Sequence, residues 1–102
     1  MSLDAGTQIE RALVRSAADA GFVLTLVAAI ATPWASVTFT GARHRLTLAA
    51  ARSPALDTWL AGLAEAEFRL RGHLVADLIV KGATHTGQPG EIVLEALTVE
   101  DC

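Results

Sequence analysis

The chain has 102 residues, of which 52% are apolar and 19% charged, and its net charge is −3. This length fits one domain, and so apolar a composition excludes a disordered chain. Its eight basic residues neither form a run nor interleave with aromatics, so the footprint of a nucleic-acid binder is missing.

The first predicted element is a helix. Ile9, Leu13, Ala17 and Ala20 recur at helical spacing, Asp4 or Thr7 can cap the start, and Gly21 can end it. An uncharged stretch from Ala20 to Ala42 follows, long enough to span a bilayer. Pro33 interrupts it, Thr25, Thr32, Ser36, Thr38 and Thr40 make it polar, and its β-branched residues favour strands. A strand reading is therefore expected over a membrane span, with Pro33 dividing the segment into two strands or marking an edge or bulge. The first reversal is expected at Gly41-Ala42-Arg43-His44, with Arg45 to Ala51 returning.

Ser53-Pro54 opens a second helix, a hydroxyl cap followed by proline at the first helical position. Leu56, Leu60, Leu63 and Glu67 continue it at helical spacing, with Trp59 alongside. An alternating strand comes next. Phe68, Leu70, Gly72, Leu74, Ala76, Leu78 and Val80 form its expected buried face; Arg69, Arg71, His73, Val75, Asp77, Ile79 and Lys81 form the outer one. The turn Gly87-Gln88-Pro89-Gly90 leads into a last strand from Glu91 to Glu100.

A shift of 46 residues superposes the two halves: Phe22 meets Phe68, Leu24 meets Leu70, Thr38 meets Thr84, Thr40 meets Thr86 and Gly41 meets Gly87. Residues 1–102 thus read as one α+β domain with a repeat over about 7–51 and 53–100. Two αββ units predict a four- to five-stranded antiparallel sheet with two helices on one face, ferredoxin-like or a permutation of it.

The repeat also compares surfaces. The outer face of the later strand is charged, whereas its counterparts Val23, Thr25, Val27, Ala29, Ala31, Val37 and Phe39 are mostly apolar. A solvated sheet face alternates to polar. A cover is therefore expected over Val23, Val27, Ala29, Ala31, Val37 and Phe39: a second copy of the chain, a segment of the same chain, or an apolar ligand.

Nothing in the pattern assembles chemistry. His44, His73 and His85 lack partners at metal-ligand spacing, and His73 and Asp77, on one strand face, would stand about 13 Å apart. The histidines read as polar surface. Ser16, Ser36 and Ser53 follow no nucleophile elbow, no phosphate loop is present, and Cys102 is the last residue. Glu91 and Glu95 share a strand face without a facing acid or base. Arg69 and Arg71, with Arg43 and Arg45, read as solvated charge or an anion-facing patch. No catalytic residue, cofactor or metal is expected. The lone cysteine and the lack of a leader point to the cytoplasm.

The run Thr32-Pro33-Trp34-Ala35-Ser36-Val37-Thr38-Phe39-Thr40-Gly41, then His44-Arg45-Leu46-Thr47-Leu48, Leu70-Arg71-Gly72-His73-Leu74-Val75 and Leu94-Glu95-Ala96-Leu97-Thr98-Val99-Glu100, has a familiar order. It resembles the small tail-completion (tail-terminator) proteins of long-tailed phages, prophages and gene transfer agents. The resemblance implies a ring-forming structural protein that caps a tail tube, docks to head–tail proteins in a virion-like particle and carries no catalytic residue. The expected function is non-enzymatic assembly through homo-oligomerisation, with a small dimeric binding or regulatory module as the alternative. An enzyme whose site forms only between chains ranks third. Neither nucleic acid nor membrane is an expected partner.

Overall fold

The computed structural model describes residues 4–84 and 88–100. The chain folds as helix α1 (Ala5–Ala20), strands β1 (Thr25–Ala35) and β2 (Thr40–Ala50), helix α2 (Pro54–Gly62) with a 3-10 turn (Leu63–Glu65), then strands β3 (His73–Ala83) and β4 (Gly90–Glu100). The fold is α+β, with one four-stranded antiparallel sheet in the order β1-β2-β4-β3. This layout broadly fits the permuted ferredoxin-like expectation.

The helix ends follow from their capping chemistry. Asp4, not Thr7, caps α1: its Oδ1 accepts from the Thr7 amide at 2.7 Å. That hydrogen bond holds the Asp4 carboxyl below its ordinary 3.8. At the other end Gly21 takes the left-handed conformation, φ 97°, that a side chain resists. Its amide donates to Ala18 O and the Phe22 amide to Ala17 O, both at 3.1 Å, the paired bonds of a Schellman end. Ser53 Oγ accepts from the Leu56 amide at 3.1 Å, and Pro54 opens α2 as expected. The helical stripe stops short of Glu67, because the chain tightens into the 3-10 turn at Leu63.

Both helices pack on one sheet face. Ile9, Leu13 and Ala17 of α1 and Leu56 of α2 join Leu46, Leu48, Leu78, Ile92 and Leu94 in a single core cluster. The helices are tied to each other by Trp59 Nε1, which donates to Ser16 Oγ at 2.9 Å, and by Phe22 set edge-on against Trp59.

The strands depart from expectation in three ways. The first reversal lies at residues 36–39, where the Ser36 amide donates to Phe39 O at 2.7 Å, so Gly41 to His44 lie inside β2. Pro33 does not divide the segment: it marks an edge strand, one of its expected placements, and pairs with Ala42, while the bulge falls instead at Val27. Residues 66–72 are not strand, and β3 carries bulges at Ala76 and Lys81. Each bulge inserts a residue and flips the side chains that follow. Leu74, expected in the core with Leu78, lies on the other side of the Ala76 bulge from it, and so pairs with Val99 on the outer face and is 57% exposed. His73 and Val75 pair with Glu100 and Thr98 toward the helices. The element order αββ-αββ repeats, but the residue register does not hold. β3 starts 48 residues after β1 (Thr25 to His73) and β4 50 after β2 (Thr40 to Gly90). Among the described residues no helix is long and apolar enough to cross a membrane.

Candidate interaction surface

Alternation along the two central strands defines the sheet's faces. On β2, His44, Leu46, Leu48 and Ala50 are buried under the helices, while Arg43 and Arg45 are exposed. On β4, Ile92, Leu94, Ala96 and Thr98 are buried, while Val93, Glu95, Leu97 and Val99 are only half-buried. A central strand that leaves valine and leucine half-exposed lacks a covering layer. Both helices belong to the core on the other side. Among the described residues no helix covers this face.

The register sets residues of the open face in rows across the sheet. Ile30, Arg45, Glu95 and Ile79 are paired in turn, and Thr32, Arg43, Leu97 and Asp77 form the next row. A shallow cavity of about 350 Å³ lies over these two rows. Trp34, Gly41, Val99 and Leu74 form the third row. A Cβ at Gly41 would lie 1.9 Å from Thr98 O and 2.8 Å from Trp34 Cζ2, so only glycine lets the indole lie there. The indole Nε1 of Trp34 is buried without an acceptor, a group whose isolation is costly.

The sheet edges are blunted. β1 carries Pro33 and a bulge at Val27; β3 carries two bulges. Such edges oppose the addition of a further strand, so the face, not an edge, is the available surface.

The six residues expected to form an apolar patch are all exposed but do not share this face. Val23 precedes β1, and Val37 and Phe39 lie in the β1–β2 turn. Val27 is the bulge itself, after which Ala29 and Ala31 pair with Leu46 and His44 on the helix-bearing side. The bulge instead turns Ile30 outward. The residues that sequence reasoning missed, Ile30 and Leu74, could be found only by knowing the bulges. Arg43 and Arg45 were legible from their phase opposite Leu46 and Leu48.

The polar candidates disperse. His44, expected at the surface, is 3% exposed in the core layer. Thr98 Oγ1 lies 2.9 Å from His44 Nε2 and donates to Ala42 O at 3.3 Å. Burial holds the His44 pKa below its usual value; His73 pushes the same way and Asp4 opposes. His73 Nδ1 is buried without a partner. The bulge at Ala76 separates His73 from Asp77, which lie on opposite faces. Glu91 and Glu95 do share the open face. Arg71 stands before β3, its backbone held by both amide atoms of Gln8. Among the described residues no group of three His, Cys, Asp or Glu could hold a metal ion. His85, Thr86, Gly87 and Cys102 lie outside the described residues.

No protein-family model, curated protein or solved structure matches this chain.

Proposed function

We propose that this chain is a non-enzymatic assembly protein that binds copies of itself through the open face of its sheet. The observation that carries the reading is the uncovered central pair β2 and β4, with Leu97, Val93 and Val99 half-exposed and Ile30 65% exposed beside them. An antiparallel sheet tolerates water on a face that alternates to polar; one that presents leucine, valine and isoleucine around its charges gains by being covered.

The resemblance to tail-completion proteins gives this reading a specific form, a ring that docks to head–tail proteins. A small dimeric binding module is the second form. The blunted edges of β1 and β3 favour it, since they oppose strand addition from subunit to subunit around a ring. The molar mass in solution, by light scattering on a sizing column across a concentration series, tests both. A ring-sized species supports the tail form and a dimer supports the module. A monomer at every concentration removes self-association.

A further inference from the structure

Resting on that reading, we infer that the occupant of the open face is a second copy placed by a twofold axis along the strands, running between β2 and β4, so that Arg45 of each chain stacks on Glu95 of the other. The middle row of the face reads Ile30, Arg45, Glu95, Ile79: apolar, cation, anion, apolar. Turning a copy about an axis parallel to the strands exchanges the two halves of that row. Ile30 then meets Ile79, and Arg45 meets Glu95, twice over. The contact is isologous, the commonest interface among oligomers. In the two rows on one side of it Arg43 faces Leu97, Thr32 faces Asp77 and Trp34 faces Leu74; in the row on its other side, Ala28, Thr47, Val93 and Gly82, Thr47 faces Val93 and Ala28 faces Gly82.

Charge selects this axis over its rival. A twofold axis running across the strands would stack β2 on β2 and β4 on β4. Arginine strand would then face arginine strand (Arg43 and Arg45), and acidic strand would face acidic strand (Glu91 and Glu95). Like charges brought together in an interface repel, which disfavours that arrangement. Face-to-face sheets pack about 10 Å apart with their strands about 30° from parallel. A crossing of that size pivots on the central row and keeps the Arg45–Glu95 contacts.

Charge reversal tests the geometry. Wild type, Arg45→Glu, Glu95→Arg and an equimolar mixture of the two variants are compared by light scattering, with circular dichroism confirming the fold of each. Each variant alone sets like charges across the interface and should weaken association at least about tenfold. The mixture should recover it, because the carboxylate introduced on β2 of one variant then meets the guanidinium introduced on β4 of the other, although each chain still holds a like-charged pair within its own sheet. Should either reversal unfold the chain, the exposed rim positions serve instead: Ile30→Asp and Ile79→Lys should each dissociate the dimer and associate when mixed. Variants that associate as wild type does, or a mixture that stays apart, would overturn the geometry while leaving self-association standing. A wild-type monomer at every concentration would overturn both.

Discussion

His44 lies with Nε2 2.9 Å from Thr98 Oγ1 and Nδ1 toward Gly6 in the first turn of α1, and desolvation there holds its pKa below the ordinary 6.5. The unfolded chain therefore takes up its proton near 6.5, and the folded chain only at lower pH. Between those two values the unfolded state binds more protons, so stability is full above 6.5 and falls as the pH drops through the window. One proton limits that slope to about 1.4 kcal/mol per pH unit. His44→Gln can still hydrogen-bond to Thr98 but does not titrate. Urea unfolding between pH 5 and 7.5 should show the wild-type stability declining below about pH 6.5 and the variant's remaining flatter. An equal decline in both would place the titration elsewhere in the molecule.

At the scale of elements, strand faces decide what a leucine is worth. Leu94 is fully buried on β4, whereas Leu74 lies on the open face of β3 beyond the reach of the helices. Leu94→Ala should cost about 2–5 kcal/mol, the range for a truncated core leucine. Leu74→Ala should stay within about 1 kcal/mol in dilute solution, as exposed substitutions do. Thermal melts of the two variants check this directly, and an equal loss in both would mean that the β3 register is wrong. The contrast also shows which parts of this fold were legible in the sequence. Asp4, Gly21 and Ser53-Pro54 announce helix ends because capping is local chemistry, satisfied within three or four residues. The order of helices and strands was legible from periodicity. The faces of β1 and β3 were not, because a bulge at Val27, Ala76 or Lys81 is set by pairing with a neighbouring strand and leaves no local signal. An unread bulge inverts the residues on one side of it relative to those on the other, which is how Ala29 and Ala31, after Val27, came to be expected outside and Leu74, before Ala76, inside. His44 was within reach: it shares the alternation of Leu46, Leu48 and Ala50.

For the molecule as a whole, the proposed association through the open face would couple folding to concentration. A chain that associates only when folded gains stability by mass action, so its melting temperature must rise with its own concentration. For a dimer well above its dissociation constant, a tenfold rise in concentration adds about 0.7 kcal/mol per chain, or about 3–6 °C for a domain of this size. Ile30 offers a way to separate the two terms. It is exposed on an edge strand and contributes little to the core, but it sits in the central row of the open face. Ile30→Asp should leave the melting temperature at the lowest concentration close to wild type and abolish its rise with concentration. A variant that melts lower by the same amount at every concentration would assign Ile30 to the stability of the single chain. A wild type without any rise would mean that the open face is satisfied by water, and that its leucines and valines are merely tolerated.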